Sequence, residues 1–525
     1  MQDIPDYDSF IKIEPITKGW SDDKKYYIET ADGRRMLLRV SDISEFERKK
    51  AEYGMMERVY GLGVLTSQPL GFSLCNDGKS CYSLSDWLDG ENLESALPKM
   101  TDTEQYVMGL KAGEILRQIH SFSAPERSDN RITLIHGDYH TENIILHKNG
   151  FLYVIDFNMR HDDPWWDFCA VPVGKEAHTY YQTGLIKGYF RGEPPFDFFD
   201  VISKYFAQDV KTRVSPDDPL DVRETGLRHV ENILRWFDNM NNPVPTWYLK
   251  DFYIQWVDGV PYKLKAPFDF SFLGKYSKVF KVFDDQDSGN ICFGVADGES
   301  KYFVKFAGAP TERSRISTDE AVKRIKSTVP IYRDLAHPVL TKLISAEEVG
   351  GGFAMIFEWT DAECMGRQYP QSREKFLQMP LVTRLRVFDE ILEFHTHVAK
   401  QGYVAIDFYD GCIMYDFNIG RTTLCDIEFY AKMPYNNPIG RMWGSSRFMS
   451  PEEFELDAVI DEITNVYTMG ATAFAFFGDE RDRSIEKWKL SKELFAEAKK
   501  AVSDDRNLRQ QSIKQLIEEW SAAKV

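Results

Sequence analysis

The chain has 525 residues, 43% of them hydrophobic, and its formal net charge is -18. A single core rarely grows beyond about 250–300 residues, so two or more packed domains are expected. The negative charge argues against a general nucleic-acid-binding or anionic-membrane surface. No apolar run approaches the roughly 18 residues that a membrane helix needs, so no membrane partner is expected.

The seven cysteines are scattered and form no CxxC pair. This pattern supports neither a disulfide framework nor a zinc site. The first residues, Met1 to Asp6, are acidic and lack the apolar core of a signal peptide. A cytoplasmic location is therefore expected.

The first half opens with patterns typical of a small sheet. Strand-like runs cover Trp20 to Thr30 and Arg35 to Val40, and Phe46 to Leu62 follows as a charged amphipathic helix. Another strand is predicted from Cys81 to Leu88, and helical segments that include Glu104 to Ile119 come next. This order predicts a sheet with one helix, a connecting strand and then a helical lobe.

The loop that follows carries the strongest chemical signal in the chain. Asn143 lies five residues after Asp138, and Asp156 lies eighteen after it. Phosphoryl transfer from ATP requires a carboxylate near the acceptor hydroxyl and two oxygen ligands for Mg²⁺, and the kinase catalytic loop supplies them at this spacing. The alternative is a polar turn between two buried strands. Apolar runs at 144–146 and 151–157 give the strand–loop–strand context that favours the catalytic interpretation.

The His136-Gly137-Asp138 tripeptide, with Asp163-Pro164-Trp165-Trp166-Asp167 after it, resembles the aminoglycoside phosphotransferase family. This resemblance implies that Asp138 is the catalytic base. It implies that Asn143 and Asp156 hold Mg²⁺ and that ATP is the donor. His136 and the two aspartates of the downstream motif are then interpreted as structural, since they brace the loop and cap the next helix.

The resemblance also indicates nucleotide contacts. Arg39 stands where the family has the phosphate-binding lysine of the third strand, and arginine can hold phosphate bidentately. Glu52 is its expected helix partner, with Glu45 and Glu47 as alternatives and a solvated helix face as the non-functional interpretation. Residues 84–89 are expected to contact adenine through main-chain groups.

The phosphate loop and the acceptor side are less well defined. The loop from Thr17 to Asp22 has one glycine, and only fifteen residues separate Ser121 from His136, where the family has a longer insert. A shorter insert would make acceptor capture poor or different. The acidic wall expected for a cationic acceptor would then come from Asp197, Asp200, Asp217, Asp218 and Asp221. Solvated surface is the alternative for these five, and the segment Trp236 to Asn239 is a further candidate for acceptor contact.

Near Asn239 to Pro245 the helical pattern ends, and Asp251 to Phe272 is aromatic and proline-punctuated. This stretch is too apolar for a free linker and is expected to pack between the domains. The boundaries predicted are 1–250 for the first domain and 265–525 for the second.

The second half repeats the plan, with a strand carrying Lys305, a helix from Ile316 to Leu335 and two further aspartates nineteen residues apart. Ser450-Pro451-Glu452 and the run Thr464 to Gly470 resemble the activation-segment end and following helix of Ser/Thr protein kinases. The resemblance implies that Arg509 pairs with Glu452. An unrelated α/β domain with a chance Ser-Pro-Glu is the alternative.

This second resemblance implies that Lys305 anchors phosphate, Asp407 is the base and Asp426 binds the metal. The site has gaps, because Cys412 replaces the asparagine ligand, Ala405-Ile406 replaces His-Arg, and no helix glutamate is in register with Lys305. Thiol is a poor ligand for magnesium. The substitutes considered for the lost ligand are Glu428, Asp410 and Asp416.

The expected fold class is α+β, with two tandem protein-kinase-like bilobal domains, each with a small β-rich N-lobe and a helical C-lobe. The expected function is ATP- and Mg²⁺-dependent transfer of phosphate to a hydroxyl of a small molecule or protein by the first half. The second half is expected to have a degenerate active site. The alternative is a regulatory or scaffold protein in which one or both halves bind nucleotide without turnover.

Overall fold

The computed structural model describes residues 2–17, 23–121, 132–250 and 253–524. The chain divides into two compact units, Met1–Phe252 and Tyr253–Val525. Both units combine helices with antiparallel sheet. None of the helices within the described ranges is long and apolar enough to cross a membrane.

The first unit has ten strands and six α-helices among its described residues. The strands are β1 (Phe10–Ile16), β2 (Lys24–Thr30), β3 (Arg35–Asp42), β4 (Pro69–Cys75), β5 (Ser80–Asp86), β6 (Gly90–Asn92), β7 (Thr133–Ile135), β8 (Ile144–His147), β9 (Leu152–Val154) and β10 (Arg160–Asp162). The helices are α1 (Phe46–Gly61), α2 (Leu93–Ala96), α3 (Asp102–Ile119), α4 (Thr179–Phe190), α5 (Phe198–Thr212) and α6 (Leu220–Trp236).

The second unit continues the numbering. Its strands are β11 (Tyr253–Val257), β12 (Val260–Leu264), β13 (Lys278–Phe283), β14 (Asn290–Asp297), β15 (Ser300–Ala307), β16 (Leu343–Val349), β17 (Gly352–Glu358), β18 (Glu363–Cys364), β19 (Tyr403–Val404), β20 (Ile413–Asp416), β21 (Arg421–Leu424), β22 (Ala431–Lys432), β23 (Tyr435–Asn436) and β24 (Val459–Ile460). Its helices are α7 (Thr318–Asp334), α8 (Pro370–Leu377), α9 (Leu381–Lys400), α10 (Glu462–Phe477), α11 (Lys492–Ala501) and α12 (Ile513–Ala522).

The two units share one sheet topology. The five-stranded sheet runs β1-β2-β3-β5-β4 in the first unit and β13-β14-β15-β17-β16 in the second. In each, one helix (α1 or α7) connects the third strand to the fourth. In each, a short 3-10 turn leads into a hairpin, β8–β9 or β20–β21, behind the expected catalytic loop. The third strands carry Arg39 and Lys305, as the sequence predicts.

The aromatic stretch that the sequence analysis placed between the domains forms part of the second unit. Strands β11 and β12 make an antiparallel hairpin, and Tyr262 and Leu264 are buried in a core shared with Phe270 and Phe293. Residues 251 and 252 lie outside the described ranges. The apolar character of the stretch is thus explained by burial within one unit, and that unit begins ahead of residue 265.

In the first unit, helices α3 and α4 approach at glycines. A Cβ at Gly109 would lie 2.1 Å from the Tyr181 carbonyl oxygen, and one at Gly184 would lie 2.2 Å from the Tyr106 oxygen. Gly113 and Gly188 make equally close backbone contacts one turn further along. Only hydrogen fits between the backbones here, so the four glycines fix the separation of the two helices.

We expect Gly184→Ala to destabilise the first unit by about 1–3 kcal/mol, because the added methyl forces rigid backbone apart. Thermal unfolding followed by circular dichroism measures the change. Gly54→Ala in α1 is the matched control, since a Cβ there meets nothing within 4 Å. It should be neutral or stabilise by up to about 1 kcal/mol through helix propensity. Equal midpoints for the two variants would show that the helices can separate freely.

Candidate active site

A buried carboxylate holds the catalytic loop of the first unit. Asp167 accepts hydrogen bonds from the backbone N–H groups of His136 (2.7 Å) and Gly137 (2.8 Å), and its Oδ2 lies 2.9 Å from His120 Nε2. Gly137 has φ +81°, and a Cβ there would lie 2.1 Å from the Asn158 oxygen, so glycine is required. The Asp167 side chain thus holds the loop through the backbone N–H groups of the loop residues.

His136 is completely buried beneath this loop. Its Nδ1 accepts the Asp138 N–H at 3.2 Å, and its Nε2 lies 3.1 Å from the Ile155 carbonyl oxygen. Burial, against the opposing charges of Asp167 and Asp138, lowers the pKa of His136. The ring is therefore neutral and donates through Nε2, which ties the loop to the strand end before Asp156.

The Asp138 carboxylate is half exposed and held from two sides. Asn143 Nδ2 donates to its Oδ2 at 3.0 Å, and His140 Nε2 lies 3.4 Å from its Oδ1. Burial opposes ionisation, but the contacts with His140 and Asn143 outweigh it and lower the pKa of Asp138. Asp138 is thus ionised at neutral pH.

Asp156, the second expected metal ligand, lies next to a backbone contact with Asn143. The Ile155 N–H donates to the Asn143 carbonyl at 3.0 Å, so the two expected metal-ligand segments are adjacent. Asp156 adopts φ +53°, and its Oδ1 lies 2.5 Å from Arg39 Nη2. Burial alone would raise the pKa of Asp156, but the Arg39 charge outweighs it and lowers the pKa. An ionised carboxylate and an amide oxygen are donors that suit Mg²⁺.

Arg39 does not pair with Glu52, the helix partner expected from the sequence. Arg39 pairs with Asp156, whereas Glu52 pairs with Arg48 (2.5 Å) and Lys49 (3.1 Å), and no ion pair between described residues joins Arg39 to Glu52. Glu45 contacts Arg48 in the same way, at 2.5 Å. Arg48 and Lys49 lie on the same helix within one turn of these glutamates, so they form the ion pairs with them instead of Arg39.

A cavity of about 250 Å³ opens between the sheet and the loop. Its lining residues include Leu37, Arg39, Lys49, Glu52, Tyr53, Met56, Thr66, Ser67, Ser83, Ser85, Asp86, Trp87, Leu88, Ile145, Ile155 and Asp156. The end of strand β5 and residues 86–88, within the segment expected to contact adenine, form one wall. Trp87 N–H is already used by the Arg35 oxygen at 3.0 Å, whereas Leu88 N–H makes no backbone hydrogen bond within the described ranges.

The acceptor side departs from expectation. Trp236 and Phe237 lie in the hydrophobic core, 3% and 0% exposed, so these two residues cannot contact an acceptor. Asp218 accepts the Ser215 N–H at 2.7 Å and shapes its own turn. The other four acidic candidates, Asp197, Asp200, Asp217 and Asp221, are exposed. Residues 18–22 of the expected phosphate loop and residues 122–131 before the catalytic loop lie outside the described ranges.

In the second unit, Lys305 is enclosed by carboxylates. It contacts Glu428, whose side chain is 4% exposed, and lies 3.5 Å from Asp426 Oδ1. Burial disfavours the charged amine, but Glu428 and Asp426 outweigh it and hold the pKa of Lys305 well above its usual range. Glu428, considered from sequence as a substitute metal ligand, instead takes the place of the missing helix partner of Lys305.

Cys412 occupies the position of the asparagine ligand, and its thiol donates to the Asp407 carbonyl at 3.4 Å. Burial raises the pKa of the Cys412 thiol well above its usual value, so it remains protonated. Burial, followed by the charges of Asp426 and Asp287, raises the pKa of Asp407 to about 7, against a smaller effect of Arg441. The two carboxylates Asp407 and Asp426 thus share a cleft that lacks one hard ligand.

Asp410 and Asp416, the other two residues considered as substitute metal ligands, already have hydrogen-bond partners within the second unit. Arg447 binds both Asp410 oxygens, at 2.8 and 2.9 Å, and Arg373 contacts the same carboxylate. Glu480 closes the cluster, 2.9 Å from Arg373. Asp416 accepts the N–H groups of Asn418 and Ile419 in a turn. No sequence motif indicates this cluster, because its members are distant in the chain.

One contact of the second unit was predicted from its sequence, and a second one supports the loop that carries Asp407. Arg509 donates to both oxygens of Glu452, at 2.7 and 3.0 Å, so the predicted pair is confirmed. Asn465 of α10 accepts the Ala405 N–H and donates to the Ala405 oxygen, both at 2.7 Å. The loop that carries Asp407 is therefore braced from a helix, much as Asp167 braces the first loop.

We expect the stability of the second unit to depend on Asp407 between about pH 4 and 7. The folded pKa lies above the unfolded value of about 3.9, so the folded state binds more protons there and stability falls as pH rises. Asp407→Asn removes the ionisation that lowers stability, so it should stabilise the second unit by on the order of 1–2 kcal/mol at pH 8 but not near pH 4. Chemical denaturation at both pH values measures it. The exposed Asp297→Asn is the control, and an equal gain at both pH values would contradict the assignment.

Residues 12–133 and 127–199 match the model of a phosphotransferase enzyme family. The matched range contains Arg39, Glu52, Asp138, Asn143 and Asp156. No curated protein matches the chain significantly. The first unit is thus similar in sequence to phosphotransferases, in agreement with its catalytic-loop motif, and the family match does not extend into the second unit.

Proposed function

We propose that the first unit transfers the γ-phosphoryl group of ATP to a hydroxyl of a small molecule or protein. The observation that carries this proposal is the arrangement of Asp138, Asn143 and Asp156. The ionised, half-exposed Asp138 carboxylate contacts Asn143, and the Asn143 carbonyl accepts the N–H of Ile155, next to Asp156, which lines a cavity walled by the β5 end. A cytoplasmic location, where ATP is available, belongs to the same proposal.

Each residue has one role in this scheme. Asp138 orients the acceptor hydroxyl and accepts its proton, and its lowered pKa keeps it ionised for that role. Asn143 donates through Nδ2 to Asp138, which leaves its Oδ1 for Mg²⁺ together with Asp156. Bound Mg²⁺ would supply neutralisation of phosphate charge. The N–H of Leu88, which makes no backbone hydrogen bond within the described ranges, would donate to the base from the cavity wall.

For the second unit we propose nucleotide binding through Lys305 and Asp426 with little or no transfer. Cys412 supplies no oxygen, and a cluster of arginines occupies Asp410 in the loop after Asp407. Positioning and charge neutralisation provide nearly all of phosphoryl-transfer catalysis, so loss of one ligand is costly. A regulatory role for this unit is the second candidate function, favoured by the Lys305–Glu428 contact.

Asp138→Ala should lower turnover of the full chain by about 100-fold or more while ATP affinity changes little, because the base acts mainly in the transition state. Asp156→Ala should instead weaken Mg-ATP binding. A screen of acceptors with radiolabelled ATP, followed by steady-state kinetics, measures both effects.

Asp407→Ala is the matched substitution in the second unit and shows which unit transfers phosphate. A loss confined to Asp138→Ala assigns transfer to the first unit. Unchanged turnover in Asp138→Ala, with loss in Asp407→Ala, would contradict the proposal.

The second unit, prepared as residues 253–525, should show a thermal shift with Mg-ATP that Lys305→Met abolishes, and little phosphorylation of itself or a generic substrate. Cys412→Asn restores an oxygen ligand and should raise any residual transfer. Robust wild-type transfer that disappears in Asp407→Ala would refute the inactive interpretation.

A further inference from the structure

Helix α1 carries a lysine that the sequence comparison with kinase-like sites does not single out. Lys49 lines the cavity of the first unit, and its side chain is only 13% exposed. Its Nζ lies 2.7 Å from Asp23 Oδ2 and 3.1 Å from Glu52 Oε2. A lysine this enclosed, yet with its head group on a cleft, is positioned by its carboxylates for contact with a ligand.

Asp23 is built to hold that lysine. Its side chain is 6% exposed and also accepts the Ser41 hydroxyl at 2.6 Å. Burial opposes its ionisation, but Lys49 and Ser41, with a further effect of Arg39, lower the pKa of Asp23. Lys49 and Asp23 therefore form a lysine–carboxylate pair, with the lysine on the helix and the carboxylate next to β2.

A second lysine, on β2, lies next to the cavity-lining Arg39. Lys25 lies directly opposite Arg39 in the antiparallel register of β2 and β3. Like charges at such positions are destabilising. Burial, followed by the Arg39 charge, lowers the pKa of Lys25, and no hydrogen bond or ion pair among the described residues includes its side chain. The charges of Asp156 and Asp23 offset this cost only in part, since the pKa of Lys25 stays lowered, and an anionic ligand would supply the rest.

We propose that Lys25 and Lys49 join Arg39 in a three-cation cradle for the phosphates of the bound nucleotide. The inference rests on the proposed function of the first unit and adds the residues that grip the phosphates. In this arrangement the anchoring charge is spread over β2, β3 and α1. Arg39, which pairs with Asp156, is then one of three contacts rather than the sole one.

The test compares ADP with adenosine, because only ADP carries phosphates. Titration calorimetry uses the full chain with Lys305→Met throughout, so that binding through the second unit's lysine does not contribute. Lys49→Met and Lys25→Met should each weaken ADP binding by about tenfold or more, as expected for loss of a charge-assisted contact. Adenosine binding should change by less than about twofold, which also shows that the variants fold.

The neighbouring residues supply matched controls. Lys24 and Lys50 are exposed, so Lys24→Met and Lys50→Met remove the same charge away from the cavity. They should leave ADP binding within about twofold of the parent, and Lys49→Arg should retain most of it. Normal ADP binding in Lys49→Met and Lys25→Met, or equal losses in the controls, would overturn the cradle alone. Failure of the parent to bind either ligand would overturn the proposed function and the cradle together.

Discussion

The active-site loop of the first unit depends on a single buried carboxylate. Asp167 accepts two consecutive backbone N–H groups, at His136 and Gly137, and contacts His120. Buried backbone donors without partners cost free energy, and here they are satisfied by a charged acceptor, which makes the strongest such bonds. Removing that acceptor would leave the loop without a fixed conformation, and every group placed by the loop would lose its position.

In the second unit the corresponding loop is held by an amide side chain instead of a carboxylate. Asn465, on helix α10, makes one bond to each polar group of Ala405. An amide can donate and accept, whereas Asp167 only accepts, so the two loops present different backbone groups to their supports. The preceding residue differs accordingly: Gly137 takes the positive φ in the first loop, and Asp407 itself takes it in the second. Asp138 and Asp407 therefore differ in backbone geometry.

The residues that sequence predicts well are those whose roles follow from local spacing. Asp138, Asn143 and Asp156 lie within nineteen residues, on one strand–turn–strand segment, so their proximity follows from the local chain order. The third-strand positions of Arg39 and Lys305 follow from strand order. The Arg509–Glu452 pair was accessible only because a family resemblance supplied the distant partner.

The residues that sequence predicts poorly are those whose roles depend on competition between neighbours. Glu52 was assigned to Arg39, but Arg48 and Lys49 lie nearer on the same helix. Glu428 was considered for metal binding, but a buried lysine without a helix partner attracts it more strongly. Trp236 and Phe237 show the same limit, since an aromatic pair at a helix end fits a core as well as a pocket.

The glycine contact between α3 and α4 bears on the order in which the first unit folds. The two helices flank the candidate catalytic loop in the chain, so their docking closes a loop of about seventy residues that contains Asp138, Asn143 and Asp156. Closing this loop costs conformational entropy, and the long-range contacts that offset the cost form only after closure. The catalytic residues are therefore expected to acquire their geometry late, together with the global folding step, and a partly folded chain would have no active loop.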